Sequence, residues 1–314
     1  MKKIFTFFWF LSVQIISAQT ILGIDVSHHQ GNINWQLVAN DGKVFAYCKA
    51  TEGMTYHDPN FTTYMTAGTN AGIVMGAYHF ARPDNNTALQ DANNFINTAS
   101  SYIGNGFLPP VLDLEDPNSS THLDQIYTSS QLTSWVQTWL NRVESQTGVR
   151  PILYLNSHYA AYLNSSLNSY GLWIAKPGTA PSTPPSNLGN WNTWLFKQYS
   201  WYGSVNGISG NVDLDSFHGN ATDFNNLIGV NSMTELKSLG FKFYPNPVHQ
   251  TLYLKPKNNQ SVTAVKIFDL NGRLLKKYHE HVSNIDVSAL KNGMYLMQVT
   301  LDNQQTGIVK FLKN

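Results

Sequence analysis

Cysteine is nearly absent: Cys48 is the only one in 314 residues, so no disulfide can form within the chain. It stands in the apolar run VFAYCKA and reads as a small core residue. A nucleophilic thiol would need an activating base and electropositive surroundings, which this run does not offer. Charge is also scarce, at 12% of residues, which fits a folded domain better than a disordered polyelectrolyte. The net charge of +1 hides a split: residues 19–240 carry 8 Lys and Arg against 15 Asp and Glu, while residues 241–314 carry 10 against 4. An acidic large part argues against nucleic acid or another polyphosphate as its partner. Long apolar runs are limited to the start, MKKIFTFFWFLSVQIISA. With Lys2 and Lys3, an apolar stretch from Ile4 to Ile16 and the small Ala18, residues 1–18 read as a signal peptide, short for a membrane span. An exported mature chain with no membrane span is expected. Metal-ligand spacing is lacking too: His28 and His29 are adjacent, so on an extended strand they point to opposite sides, and no His-x-x-x-His or cysteine partner accompanies them. One is expected to pack and the other to lie near a cleft rim; neither a metal nor another cofactor is expected.

What is present is a series of short apolar runs. ILGIDVS (21–27), VFAYCKA (44–50), IVMGAYHF (73–80), PVLDLE (110–115), PILYLN (151–156), GLWIA (171–175), WLFKQY (194–199) and NVDLD (211–215) make eight candidate strands. Helical patterns separate the early ones. Asp58-Pro59 offers an N-cap and first-turn pair for a helix running toward Gly72. Thr87 and Gln90 have capping-box spacing, followed by the apolar face Ala88, Ala92, Phe95, Ile96 and Ala99. Leu132, Trp135, Val136, Trp139, Leu140 and Val143 follow the i, i+3, i+4, i+7 rule, and Gly148 fits the position after the helix end. Residues 176–193, rich in Pro, Gly, Ser and Asn, have no helical period, so the last three runs are expected to be joined by loops. Alternating βα units imply a parallel sheet, and eight strands imply closure. The expectation is an α/β fold: a TIM-like barrel, regular in its first half and plainer β-structure in its second.

In such a barrel the C-terminal strand ends carry the active site. Asp25, Lys49, Glu52, Tyr78, His79, Arg82, Asp113, Glu115, Tyr154, Asn156, Trp173, Lys176, Gln198, Tyr199, Asp213 and Asp215 lie at or near the ends of the runs, so closure would gather them on one face. Asp113 and Glu115 are two apart and point the same way, about 6.6 Å apart along the backbone from the strand rise. Joined by Asp25 and Asp213 they would repel, and at least one should keep its proton near neutral pH. A protonated acid beside an ionised one is what glycosidic cleavage requires. The spacing does not choose between retaining and inverting geometry, and on the pair alone a solvated strand end or a cation site is an equally open reading. Tyr78, Tyr154, Trp173, Tyr199 and Trp201 offer faces for sugar stacking or ordinary core. His79 offers a substrate donor or a neighbour that tunes the acids. Lys49 and Lys176 are expected to pair with surplus carboxylates.

The segments GIDVSHHQGNINW (23–35), KATEG (49–53), AYHFARP (77–83), PVLDLE (110–115) and KQYS…GNVDLDSF (197–217) together resemble glycoside hydrolase family 25, the lysozyme-type muramidases, in order through most of residues 21–218. The resemblance implies cleavage of the β-1,4 bond between N-acetylmuramic acid and N-acetylglucosamine in peptidoglycan, on a flattened barrel of five β/α units followed by three strands. It implies Glu115 as general acid and Asp25, Asp113 and Asp213 as the other catalytic carboxylates. Tyr78, His79, Tyr154, Trp173, Gln198, Tyr199 and Asp215 are expected to bind substrate. Asp215 departs from the pattern, where the family often has Asn. A peptidoglycan-binding surface protein with a disabled barrel is the alternative, against which the presence of all four carboxylates counts.

From residue 241 the texture changes to short alternating strands, with Asn271-Gly272 as a hairpin signal, which implies a small β-sandwich. YPNPV, KIFDLNGRLL, DVSALKNGMYLMQV and KFLKN resemble the C-terminal sorting domain of the bacterial type IX secretion route, implying the secretion machinery as partner and a secreted or outer-membrane surface location. The expected organisation is a signal peptide over 1–18, the muramidase barrel over 19–222, a linker over 223–240 and the sorting domain over 241–314.

Overall fold

Eight strands close into a barrel in the computed structural model, which describes residues 20–229, 234–235, 241–256, 260–269, 274–279, 282–302 and 306–314. The expected signal peptide and the Asn271-Gly272 turn lie outside the described residues. The chain runs β1 (Ile21–Val26), α1 (Trp35–Asn40), β2 (Phe45–Glu52), a short β3 (Tyr56–His57), α2 (Phe61–Asn70), β4 (Val74–Phe80), α3 (Ala88–Ala99), β5 (Val111–Leu114), α4 (Leu123–Ile126), α5 (Ser129–Thr147), β6 (Ile152–Leu155) and α6 (Ser157–Tyr162). It continues through β7 (Gly171–Ala175), β8 (Phe196–Gly203), β9 (Val212–Phe217) and α7 (Ala221–Leu227). β1, β2, β4, β5, β6, β7 and β8 lie parallel in that spatial order. β9 runs antiparallel between β8 and β1 and closes the ring. Five β/α units followed by three strands is the architecture the sequence led us to expect.

Local chemistry sets the helices. Thr87 and Gln90 form the expected capping box, and Gly148 ends α5 in the left-handed conformation at φ 70°, open to glycine at no steric cost. α5 buries Leu132, Val136, Trp139, Leu140 and Val143 against the outer faces of the strands. The α2 start differs from expectation. Asn60 is the N-cap, and the Asp58 carboxylate instead accepts the Asn60 N–H at 3.0 Å and pairs with His28 Nδ1 at 2.9 Å. Residues 223–229 also differ, because they do not form a bare connector. Phe224 of α7 and Ile228 just after it enter the barrel interior, where Phe224 meets Phe45 and Phe217 with ring centroids 5.8 and 5.1 Å apart.

The strand period of two separates two cores. Outward residues such as Ile24, Ala46, Cys48, Met75, Leu112, Leu153 and Ile174 pack under the helices. Inward Phe45, Val111, Ile152, Phe196 and Phe217 fill the barrel bottom, leaving the upper end for polar side chains. Gly23 makes room for this plug: a Cβ there would lie 2.4 Å from the Phe45 ring. Gly23→Ala should therefore destabilise the barrel by about 1–3 kcal/mol through overpacking, read as a lower midpoint in thermal or urea denaturation.

Residues 234–235 and the described residues from 241 onward form two sheets around their own core. β10 (Thr234–Glu235), β17 (Thr306–Lys313), β16 (Gly293–Leu301), β13 (Val262–Phe268) and β14 (Leu274–His279) make one; β11 (Lys242–Tyr244), β12 (Thr251–Lys255) and β15 (Asn284–Asp286) make the other. Val265, Ile267, Met297, Val299 and Phe311 of the first share a buried cluster with Leu252, Leu254 and Ile285 of the second, the arrangement of a sandwich. The YPNPV opening is tied to the last strand, since Leu312 N–H donates to the Asn246 side chain and Val248 N–H to the Leu312 carbonyl, both at 2.8 Å.

Candidate active site

The upper end of the barrel opens into a cavity of about 350 Å³. Inward positions at or near the strand ends build its wall: Asp25 from β1, Lys49 from β2, Tyr78 and Phe80 from β4, Asp113 from β5 with Glu115 just beyond it, Tyr154 from β6, Trp173 from β7, Gln198 and Trp201 from β8, and Asp213 from β9. The four expected catalytic carboxylates are thus brought together. Asp213 reaches the group because β9 is reversed: its start, not its end, lies at the cavity, and Asp213 is the Cα partner of Asp25.

Below these acids lie Trp173, stacked on Tyr47 at 4.8 Å, and the aromatic plug. Loss of water makes ionised carboxylates costly here, and repulsion adds to the cost. Burial first, opposed by Lys49 and reinforced by Asp116, pushes Glu115 up to about 7. Burial and then Asp25 push Asp213 up to about 9. Burial and Glu115 raise Asp113 well above the carboxylate range, and burial and Asp215 do the same to Asp25. Lys49 does not cancel this charge, because its ammonium is engaged with Glu52 at 2.6 Å. Glu52 in turn holds Arg82 at 3.0 Å, so Lys49 pairs with a carboxylate as expected, outside the catalytic four.

Hydrogen bonds fix the wall. Tyr154 hydroxyl and Trp201 Nε1–H both donate to Gln198 Oε1 at 2.8 Å, and Gln198 Nε2–H donates to Asp25 Oδ2 at 2.8 Å. Asp113 Oδ1 is enclosed and has no protein donor, a costly position for an ionised oxygen. Beyond Glu115 the chain is clamped through Asp116, which accepts from Leu123 N–H at 3.0 Å, from the Tyr159 hydroxyl, and from His122 Nδ1 at 2.8 Å. Burial acts against its charge, but these donors hold Asp116 below the usual carboxylate range. A fixed anion beside Glu115 favours the protonated form of Glu115. Asp116→Asn should therefore move the alkaline limb of the activity profile to lower pH, costing about threefold at pH 8. A pH–rate profile of the variant checks it.

Three expected substrate contacts do not line the cavity. His79 follows the inward Tyr78 and so faces the helices. It is 0% exposed, accepts or donates at Thr51 Oγ1 over 2.7 Å and at Asp91 over 3.1 Å, and stacks on Trp139 at 5.7 Å. Burial lowers its affinity for a proton, which suits a neutral structural imidazole. Tyr199, half-buried at the register shift between Gln198 and Ser200, is not part of the cavity wall. Asp215 lies two residues deeper than Asp213 and is fully buried. Conversely, Ser27, His29, Gln30 and Phe80 line the cavity without having been singled out as contacts. The alternation from Tyr78 to Phe80 and the Ser27–Gln30 capping box were the signals available. His29 stands at the rim while His28 pairs with Asp58, and no cluster suited to a metal ion occurs among the described residues.

The sequence profile of Glycosyl hydrolases family 25 matches residues 24–208. The chain belongs to glycoside hydrolase family 25. Its likeness to Lysozyme M1 of Streptomyces globisporus is 37% identity over 206 residues, 64% of this chain and 69% of that protein. With the N,O-diacetylmuramidase of a Chalaropsis species it shares 31% identity over 204 residues, 62% of this chain and 96% of the relative. The solved bacterial lysozyme of Streptomyces coelicolor superposes with a TM-score of 0.62 at 33% identity, covering 69% of this chain and all of that one, 100%. A second profile, the Secretion system C-terminal sorting domain, matches residues 242–314. The family 25 barrel is therefore joined to a sorting module. No helix among the described residues is long and apolar enough to cross a membrane.

Proposed function

We propose that this family 25 enzyme is an exported muramidase that hydrolyses the β-1,4 bond between N-acetylmuramic acid and N-acetylglucosamine in peptidoglycan, with Glu115 as proton donor. The observation that carries the assignment of roles is the pairing of Glu115, titrating near neutrality at about 7, with Asp113 two residues before it on the same cavity wall. Protonated Glu115 gives its proton to the glycosidic oxygen as the C1–O bond breaks. The sugar ring then carries positive charge; of Asp113, Asp25 and Asp213, the carboxyl that is ionised meets it electrostatically and those that keep their protons orient the N-acetyl group through hydrogen bonds. Water completes hydrolysis and its proton restores Glu115. Tyr78 and Trp201 give the apolar faces on which sugar rings stack, the buried Tyr154 and Trp173 support the wall behind them, and Gln198 orients Asp25.

The sorting module supports export through the secretion machinery that recognises such domains, placing the barrel outside the cell or on its surface, where cell walls are accessible. The test is incubation of the mature chain with purified peptidoglycan. New reducing ends together with falling turbidity support the reading, whereas binding to walls without reducing ends would make the protein a wall-binding barrel instead.

A further inference from the structure

Asp215 lies below the cavity floor, 0% exposed. Its Oδ1 accepts the Trp173 Nε1–H at 3.0 Å. Its Oδ2 is equally buried and meets no N–H or neutral hydroxyl donor. A buried carboxylate oxygen left without a donor is costly, so a proton is the missing partner. The β1–β9 register shows where it comes from: Gly23 is the Cα partner of Asp215 and Asp25 that of Asp213. Gly23 contributes no side chain, so the Asp25 carboxyl comes within hydrogen-bonding reach of Asp215 beneath it as well as of Asp213 beside it. Two carboxyls can hydrogen-bond each other only if one of them is protonated.

We propose that Asp215 is a positioning residue for the reaction: it and Asp25 hold one proton between them, which locks the Asp25 carboxyl against Gln198 and fixes the charge on that wall of the cavity. The surroundings agree. From β7 Asp215 faces Trp173, from β2 Tyr47, from β8 Gln198 and Tyr199, and from its own strand Asp213. Asp25 also feels Glu115. Every titratable group in that set is an acid or a phenol. The nearest cation of the wall, Lys49, is committed to Glu52. Burial, followed by the facing carboxylates, raises both Asp25 and Asp215 well above the carboxylate range. The relay is continuous: Trp201 and Tyr154 hold Gln198, Gln198 holds Asp25, and the shared proton ties Asp25 to Asp215 and thence to Trp173.

The proposal rests on Asp25 being part of the muramidase machinery, and its test separates the two. Full-length protein labelled with ¹³C at the aspartate carboxyls is titrated by NMR as wild type, Asp215→Asn and Asp215→Ala, and wall lysis is measured on the same samples. Asn keeps the shape and offers Asp25 an N–H that does not titrate; Ala offers nothing. In the wild type the Asp25 and Asp215 resonances should titrate together as a coupled pair. In Asp215→Asn, Asp25 should titrate alone and at lower pH. Asp215→Ala should lose about tenfold in kcat with little change in KM, because Asp215 touches no substrate and acts through geometry. Asp215→Asn should recover most of that loss with a pH profile displaced from the wild type. An Asp215 resonance already ionised at pH 5 and indifferent to Asp25, or an Asp215→Ala enzyme with the wild-type kcat and pH profile, would overturn the proposal. A wild type that titrates as described but cleaves no wall would leave the shared proton standing and remove the muramidase reading instead.

Discussion

Glu115→Gln should lower the rate of peptidoglycan hydrolysis by about 10²-fold or more, the range expected for loss of a positioned general acid. Gln keeps the shape and the polar contacts of the half-buried side chain but has no proton to give. The loss should fall on kcat, with KM changing little, because wall binding draws on Tyr78 and Trp201 rather than on the acid. The pH dependence sharpens the expectation. Burial holds Glu115 up at about 7, so wild-type activity should fall as pH rises through that value and the acid becomes ionised. The residual activity of the Gln variant should lack this limb. Steady-state lysis rates between pH 5 and 9 check both statements, and a near-normal rate for Glu115→Gln would remove Glu115 from the role.

Asp113→Asn should cost on the order of 10²-fold in kcat, the scale of removing one preorganised electrostatic group from a reacting centre. Asp113 is buried on the cavity wall two residues from Glu115, with its Oδ1 enclosed and without a protein donor. An amide there can still hydrogen-bond but carries no charge to meet the cationic sugar. The two acids titrate as a pair in which burial and then the charge of Glu115 raise Asp113, so Asp113→Asn removes one of the two groups that share the titration. The alkaline limb of Asp113→Asn should consequently follow Glu115 alone, as a single titration in place of the coupled wild-type one. The double variant with Glu115→Gln should be far less impaired than the product of the two single losses, as for groups that act as a unit. Kinetics of the two single variants and the double variant test this.

Much of the fold can be read along the chain because the barrel separates its two cores by strand period. Each of the eight apolar runs is a strand, and the α3 and α5 faces are buried as their spacing requires. The direction of the last strand was harder to see, since a run of five residues looks alike in either sense. Its short connection held the answer: Gly203 to Val212 leaves eight intervening residues, too few for the crossover of a dozen or more that a parallel neighbour needs. That reversal separates Asp213, at the cavity, from Asp215, beneath it. His79 departs from the expected site for a simpler reason. Its nearness in sequence to the acids points to the cavity, whereas alternation from the inward Tyr78 turns it toward α3 and α5. The meeting of Asp25 with Asp215 could not be read at all, because it depends on the pairing register of β1 with β9 and on the space left by Gly23.

The burial of carboxyls above an aromatic plug is the physical root of the account, since it turns ordinary acids into proton carriers at neutral pH. The most direct test of the activity is mass spectrometry of the fragments released when the mature enzyme digests purified peptidoglycan in H₂¹⁸O, followed by borohydride reduction. The account predicts muropeptides ending in reduced N-acetylmuramic acid, with one ¹⁸O taken up at C1 before reduction and released fragments absent from the Glu115→Gln digest over the same time. Fragments ending in reduced N-acetylglucosamine, or no fragments from the wild-type enzyme, would contradict it.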